Sequence, residues 1–324
     1  MKPKVLVTCP MAQQAIEKLR EFAEVKLNPS PRNLTKEQLR KEVADVDGVI
    51  LGVEKFDEEL IAAAPRLKII ARYGVGYDNI DVGTATSRRI HVTYTPSVLS
   101  DAVADLTFAF ILTLSRRIIE ADRYVKSGEW GKSIAFPLGF DVARKTLGIV
   151  GLGRIGMKVI ERAKAFNMDI IYYDVIRNRR AEEKYGARSV TLKELLRGSD
   201  YVSIHVPLTE KTEGVIGKNE LMLMKSTAFL INTSRGSIVD QQALYEALKE
   251  KRIAGAGLDV FQHEPIPSDD PMLKLSSVVL TPHVGSGTVE TRLAMAMMAV
   301  DDIIKVLKGE EPTNVVNSEL LKRK

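Results

Sequence analysis

Along the first hundred residues the apolar positions follow two alternating periods. Short apolar runs at Val5–Thr8, Val25–Leu27, Val49–Leu51, Leu67–Ala71 and His91–Tyr94 have the length of buried strands. Between them, Ala12–Phe22, Lys36–Val43 and Asp57–Ala63 repeat their apolar positions every three to four residues, as amphipathic helices do. Thr35, with Gln38 three residues on, carries a capping-box signature for the second of these helices. Such alternation predicts a parallel, doubly wound sheet. From Ser100 to about Ser127 one continuous helical pattern rich in Ala, Leu, Ile and Phe predicts a helix longer than average, leading into a second unit.

The second unit reads as strand, helix and strand from Thr146 to Asp174, with a helix at Met157–Phe166. Further strands follow at Arg188–Val190, Tyr201–His205, Ala228–Asn232, Gly255–Asp259 and Val278–Thr281. A last helix, Val289–Lys308, comes after this sheet is complete. It is therefore expected to pack back on the first unit, with Asn314–Asn317 beside it. The expected organisation is α/β with two doubly wound parallel-sheet domains, one discontinuous (1–99 plus 287–324) and one inserted (100–286).

The 324 residues are enough for two domains with sizeable cores, and 45% hydrophobic with 27% charged residues is an ordinary globular balance. The net charge of +5 is dispersed, its densest clusters being Arg177–Arg180 and Lys322–Lys324. No basic stripe with interleaved aromatics points to nucleic acid. The single cysteine, Cys9, forbids an intrachain disulfide and makes a thiolate metal site implausible, and no metal is expected. With no secretory h-region, and Ala102–Leu114 too short to span a bilayer, a cytoplasmic protein without a membrane partner is expected.

The densest chemical signal is Thr146-Leu-Gly-Ile-Val-Gly-Leu-Gly-Arg-Ile-Gly156. A strand enters a G-x-G-x-x-G loop of Gly151, Gly153 and Gly156, a helix leaves it, and Asp174 closes the next strand about 20 residues on. Gly151 serves the tight turn, Gly153 the approach of a pyrophosphate, and Gly156 the packing of helix on strand. The helix N-terminus offers free N–H groups and a positive dipole end to the anion. Asp174 can accept hydrogen bonds from both adenosine ribose hydroxyls and would repel a 2′-phosphate, favouring NAD. Arg177, three residues beyond, keeps NADP open. The alternative is a glycine turn with an incidental acid.

Ligands of open α/β sheets bind beyond the carboxyl ends of strands. Three polar residues follow such ends: Arg235 after Phe229–Asn232, Glu264 after Gly257–Val260, and His283 after Val278–Thr281. Each has a plainer reading: a surface ion-pair partner, a turn residue before Pro265, and a structural histidine. His91 and His263 are assigned to structure.

The chain resembles the D-isomer-specific 2-hydroxyacid dehydrogenase family from end to end. The matching segments are Tyr73–Asp81, Gly151–Gly156, His205–Thr209, Asn232–Asp240, Asp259–Pro265 and Thr281–Arg292. The resemblance implies a Rossmann NAD-binding domain, a flavodoxin-like substrate-binding domain, a small 2-keto acid substrate and a homodimer. It implies that Arg235 binds substrate and polarises its carbonyl, His283 is the general acid and base, and Glu264 orients the imidazole. It places the substrate carboxylate on the backbone N–H groups of Val75 and Gly76. Cofactor contacts are implied at Gly151, Gly153, Arg154, Ile155, Gly156, Asp174, His205, Val206, Pro207, Thr212, Thr233, Asp259, His283 and Gly285. Within that set, His205 adjoins adenine, while the Asp259 carboxylate and the Thr233 carbonyl hold the nicotinamide amide.

Thr95–Leu106 is similar to the glyoxylate and hydroxypyruvate reductase branch. Many of those reductases lack the acid at the Asp174 position and use NADPH, so Asp174 is a departure. Ser127-Gly-Glu-Trp130 resembles the segment through which a partner subunit's Trp approaches substrate. Phosphoglycerate dehydrogenases carry an arginine in the loop that here reads Leu51-Gly-Val-Glu-Lys-Phe56, where Lys55 is a partial substitute. Formate dehydrogenases carry Gln at Glu264. Phosphite-oxidising relatives keep the Arg-Glu-His set, and NAD-sensing corepressors of the same fold carry terminal extensions not seen here.

Overall fold

The computed structural model describes residues 2–30, 32–132 and 136–321. Met1–Leu99 with Ser286–Lys324 form one compact unit, and Ser100–Gly285 form a second.

The first unit begins with β1 (Lys4–Val7), α1 (Gln13–Phe22), β2 (Glu24–Leu27), α2 (Lys36–Glu42), β3 (Gly48–Leu51), α3 (Glu58–Ala62), β4 (Ile69–Arg72), α4 (Val82–Ser87) and β5 (His91–Thr93). The strands pair in parallel in the order β2-β1-β3-β4-β5, the flavodoxin-like doubly wound arrangement. Burial on both faces explains the apolar runs of the central strands, Gly48–Leu51 in β3 and Ile69–Ala71 in β4, whereas the edge strand β2 has no buried residue. Thr35 and Gln38 form the expected reciprocal capping box on α2. The short helix α4 falls in a stretch whose sequence shows no helical period. It is held by Asp81, whose carboxylate accepts from the Thr84 N–H.

In the second unit the expected single helix from Ser100 to Ser127 is two: α5 (Ser100–Arg116) and α6 (Ile118–Lys126). The break is at Arg117, whose φ of 54° is left-handed and cannot continue an α-helix. Hydrophobic periodicity does not report such a reversal, because the composition stays helix-favouring on both sides. Then come β6 (Thr146–Val150), α7 (Arg154–Ala165), β7 (Asp169–Tyr173), α8 (Arg179–Tyr185), β8 (Arg188–Ser189), α9 (Leu192–Gly198), β9 (Tyr201–Ile204), α10 (Lys218–Leu223), β10 (Phe229–Asn232), α11 (Gln241–Lys249), β11 (Gly255–Leu258) and β12 (Val278–Leu280). All seven strands are parallel, in the order β12-β11-β10-β9-β6-β7-β8. The order reverses between β6 and β9, the switch point at which such sheets bind ligands.

α7 starts at Arg154, three residues before its expected start, because Gly153 is its N-cap and the glycine loop enters the helix directly. α5 packs on β10, β11 and α7. At Gly257 that approach is so close that a Cβ would lie 2.7 Å from Phe110. Of the Gly131–Phe140 loop after Trp130, residues 133–135 lie outside the described residues, as does the Lys322–Lys324 cluster.

α12 (Val289–Leu307) belongs to the first unit and packs on α1, β3, β4 and β5. The tail beyond it pairs antiparallel with β5 at Thr93 and Val315. Asn317 completes the attachment, accepting from the Val92 N–H and donating to the Ile90 carbonyl. Among the described residues no helix is long and apolar enough to cross a membrane.

Candidate active site

The three glycines of the loop after β6 are required for different reasons. Gly151 has φ of 93°, and a Cβ there would lie 2.7 Å from the Val206 backbone nitrogen. At Gly156 a Cβ would meet the Gly151 carbonyl at 2.6 Å. Gly153 differs: its φ of −78° suits any residue, and a Cβ would meet no protein atom within 4 Å. The protein's own packing does not demand glycine at 153, whereas a pyrophosphate lying against the backbone does. That is the fit expected for a dinucleotide at the N-terminus of α7, where Arg154 and Ile155 form the first turn.

Asp174, just past β7, accepts from the Leu152 N–H at 2.7 Å and from the Ile176 N–H at 3.0 Å. Its carboxylate thus fixes the glycine loop as well as lying beside it. Arg177 turns to Glu182, with Nε 2.8 and 3.0 Å from the two carboxylate oxygens. That guanidinium is engaged by an acid of its own helix region.

The loops beyond β9 and β10 are tied together. Ser234 Oγ donates to the Val206 carbonyl at 2.6 Å, and Thr212 Oγ1 donates to the Pro207 carbonyl at 2.6 Å. The His205 ring faces inward: Nε2 lies 2.8 Å from Ser203 Oγ, and Nδ1 is buried with no partner among the described residues. Burial pushes the imidazole's pKa down to about 3, so it stays neutral. It is the backbone of His205 and Val206, packed against Gly151, that adjoins the glycine loop.

Arg235 is presented by a turn that no apolar period announces. Asn232 accepts from the Ser234 N–H at 3.0 Å and donates to the Arg235 carbonyl at 2.8 Å, an Asx-type frame around the turn. Gly236 closes it, since a Cβ there would overlap the Phe261 carbonyl carbon at 1.9 Å. The half-buried Arg235 Nη1 donates to the Ser234 carbonyl at 2.9 Å.

Glu264 and His283 follow adjacent strands, β11 and β12, and meet. His283 Nδ1 is 2.7 Å from Glu264 Oε2, and the other oxygen, Oε1, accepts from the Phe261 N–H at 3.1 Å. Burial raises the Glu264 carboxyl's pKa. The hydrogen bond and charge of His283, the Phe261 N–H and the Arg235 guanidinium lower it by more, and hold it below the ordinary glutamate value. An ionised carboxylate only accepts, so Nδ1 carries a proton. Nε2 has no partner among the described residues.

His283 itself sits at φ of 53°, a left-handed conformation that costs a non-glycine residue roughly 1–3 kcal/mol. Asp259 imposes it. The Asp259 carbonyl accepts from the His283 N–H at 2.9 Å, and its buried carboxylate accepts from Thr281 Oγ1 at 2.5 Å, Val284 N at 2.8 Å and Gly285 N at 2.7 Å. Asp259 is thus a clamp on the His283 loop, in addition to the cofactor role implied by resemblance. Thr233 Oγ1 lies 3.3 Å from Thr107 Oγ1.

In the first unit, Val75 and Gly76 lie in the half-buried loop after β4. Neither N–H donates to any group among the described residues, which leaves two neighbouring backbone donors suited to an anion. His91 is on β5, and His263 is exposed beside Glu264. The Cys9 thiol is pushed up to about 12 by burial and by the Glu54 carboxylate, so it is no nucleophile. Among the described residues no cluster of three or more His, Cys, Asp or Glu could hold a metal.

Residues 108–285 match the family model described as D-isomer specific 2-hydroxyacid dehydrogenase, NAD binding domain. A glyoxylate reductase of Korarchaeum cryptofilum is 50% identical over 99% of this chain and 98% of its own length. A Thermus thermophilus protein of known structure superimposes with a TM-score of 0.90 at 41% identity, covering 97% of this chain and 99% of that one. An NADPH-dependent glyoxylate/hydroxypyruvate reductase from Sinorhizobium meliloti, solved with NADP and malonate, gives 0.87 at 33% identity over 100% and 99%.

Proposed function

Because this chain belongs to the D-isomer specific 2-hydroxyacid dehydrogenase family, we propose that it reduces glyoxylate or hydroxypyruvate to the 2-hydroxy acid, preferring NADH. It is an NAD(P)-dependent oxidoreductase acting at a CH–OH carbon. The observation that carries the proposal is the 2.7 Å contact between His283 and Glu264, with the Arg235 charge acting on the same carboxylate.

NAD(P)H, when bound, supplies a hydride to the substrate's carbonyl carbon. The protein does the rest. Arg235 binds the keto acid by charge-assisted hydrogen bonds and draws electron density toward the carbonyl oxygen. His283 delivers the Nε2 proton to that oxygen during reduction and takes it back during oxidation. Glu264 holds Nδ1–H and compensates the imidazolium charge, so the ring stays oriented through both states. The Val75 and Gly76 N–H groups hold the substrate carboxylate.

The NADH preference rests on Asp174, a negative charge where a 2′-phosphate would lie, and on the engagement of Arg177 with Glu182. The homodimer that the family resemblance implies is supported by exposed apolar side chains of the second unit: Ile118, Ile119 and Val125 on α6, then Trp130, Leu138 and Phe140. The cytoplasm is the fitting compartment for a one-cysteine enzyme of this kind.

Initial rates with NADH and with NADPH against glyoxylate, hydroxypyruvate, pyruvate and phosphohydroxypyruvate test the reading. Turnover of the first two, faster with NADH, is expected. Failure to turn over any of the four would sink it.

A further inference from the structure

The loop that presents the Val75 and Gly76 N–H groups is wrapped on the guanidinium of Arg72. Arg72, the last residue of β4, is 7% exposed. Its Nε donates to the Gly76 carbonyl at 2.9 Å, and its Nη1 to the Tyr73 carbonyl at 2.6 Å. Nη1 also lies 3.4 Å from the Leu51 carbonyl at the end of β3. At Gly74 a Cβ would sit 2.8 Å from both Cζ and Nη1, so the loop backbone lies flat against the guanidinium.

These contacts decide where the loop's peptide groups point. The carbonyls of Tyr73 and Gly76 turn inward to Arg72, and the Gly74 carbonyl accepts from the Thr95 N–H at 2.9 Å. In a planar trans peptide the N–H points opposite to the C=O. Fixing the Gly74 carbonyl on Thr95 therefore turns the Val75 N–H away from Thr95, and the Arg72 contacts hold the loop on both sides of it. Without the guanidinium, two carbonyl dipoles would be released to reorient toward the anion. Arg72 also places a permanent positive charge beneath the two donors.

The geometry points to Arg72 as a positioning residue for substrate: it shapes the Val75–Gly76 amide pair into a carboxylate receptor without touching the carboxylate itself. This rests on the proposed reduction of a 2-keto acid. A lysine in its place brings one point charge and no planar fork, so it cannot hold the Tyr73 and Gly76 carbonyls in the same geometry.

The test uses Arg72→Met and Arg72→Lys in the full-length enzyme. It reads kcat and KM for glyoxylate, the inhibition constant of oxalate as an unreactive carboxylate probe, and NADH affinity by fluorescence titration. For Arg72→Met, KM and the oxalate constant should rise together by about tenfold or more, with kcat changed less than about threefold and NADH affinity retained. Arg72→Lys should fall between that variant and wild type, and serves alone if Arg72→Met does not fold. Folded variants with lowered Tm but wild-type KM and oxalate inhibition would show a merely structural arginine and overturn the inference. A wild-type enzyme without 2-keto acid turnover would overturn the parent reading instead.

Discussion

His283 Nδ1 lies 2.7 Å from Glu264 Oε2, joining the loops that follow two adjacent strands, β12 and β11. The contact occupies Nδ1 and leaves Nε2 for the proton exchange proposed for His283. Replacing His283 with Ala should lower kcat on the order of 10²–10⁴-fold with NADH binding retained. Steady-state rates and a fluorescence titration on the same protein check both parts. A fully active variant would falsify the general-acid role.

Glu264→Gln keeps the shape of the contact and removes the charge. In the proposed mechanism the carboxylate compensates the imidazolium charge, so the variant should lose kcat by about tenfold or more with KM changed less. The Glu264 carboxyl is held below its ordinary value, so in wild type its contribution is present at neutral pH and disappears only as pH falls below the usual glutamate range. Steady-state kcat and KM of both proteins at neutral pH decide the matter, and a wild-type kcat in the variant would refute the assignment.

Asp174→Ser should move cofactor preference toward NADPH, because it removes the charge proposed to oppose a 2′-phosphate. The Leu152 N–H then loses its carboxylate partner, and NADH affinity should also fall by about tenfold, one charge-assisted hydrogen bond's worth. The measurement is kcat/KM for each cofactor. An unchanged ratio would remove Asp174 from the selectivity argument.

His205 predicts an acid-labile fold. Its imidazole, buried and neutral, takes up a proton far more readily when unfolded, so stability is full above the unfolded pKa of about 6.5 and is lost as pH falls toward the folded value of about 3. The slope attributable to this one residue is at most about 1.4 kcal/mol per pH unit. His205→Gln cannot titrate and still offers Ser203 a hydrogen-bond partner. Its Tm should decline less than wild type's between pH 6.5 and 4.5, and parallel declines would exclude His205 as the cause.

Much of the architecture is legible in the chain alone. Strands buried on both faces are largely apolar, so β1, β3, β4, β6, β9 and β10 stand out as short apolar runs. Arg235, Glu264 and His283 can be singled out because each is a polar residue just after a strand readable in the sequence, β10, β11 and β12 respectively. Less is readable where periodicity is weak. The helix α4 gives no signal, β8 shrinks to Arg188–Ser189, and the turn at Arg117 leaves no trace in the apolar pattern.

What the sequence determined by itself was local: which segments form strands and helices, where glycine is required, and which side chains bear charge at strand ends. Tertiary structure alone decided how those side chains are used. The left-handed His283 is held by Asp259, Asp174 fastens the Leu152 amide, and Arg72 draws the Tyr73 and Gly76 carbonyls inward. The physical reason is that strand and helix propensity follows from neighbours a few residues away. Hydrogen-bond direction depends on which donors and acceptors folding brings within about 3 Å, and that pairing is not written in any local period.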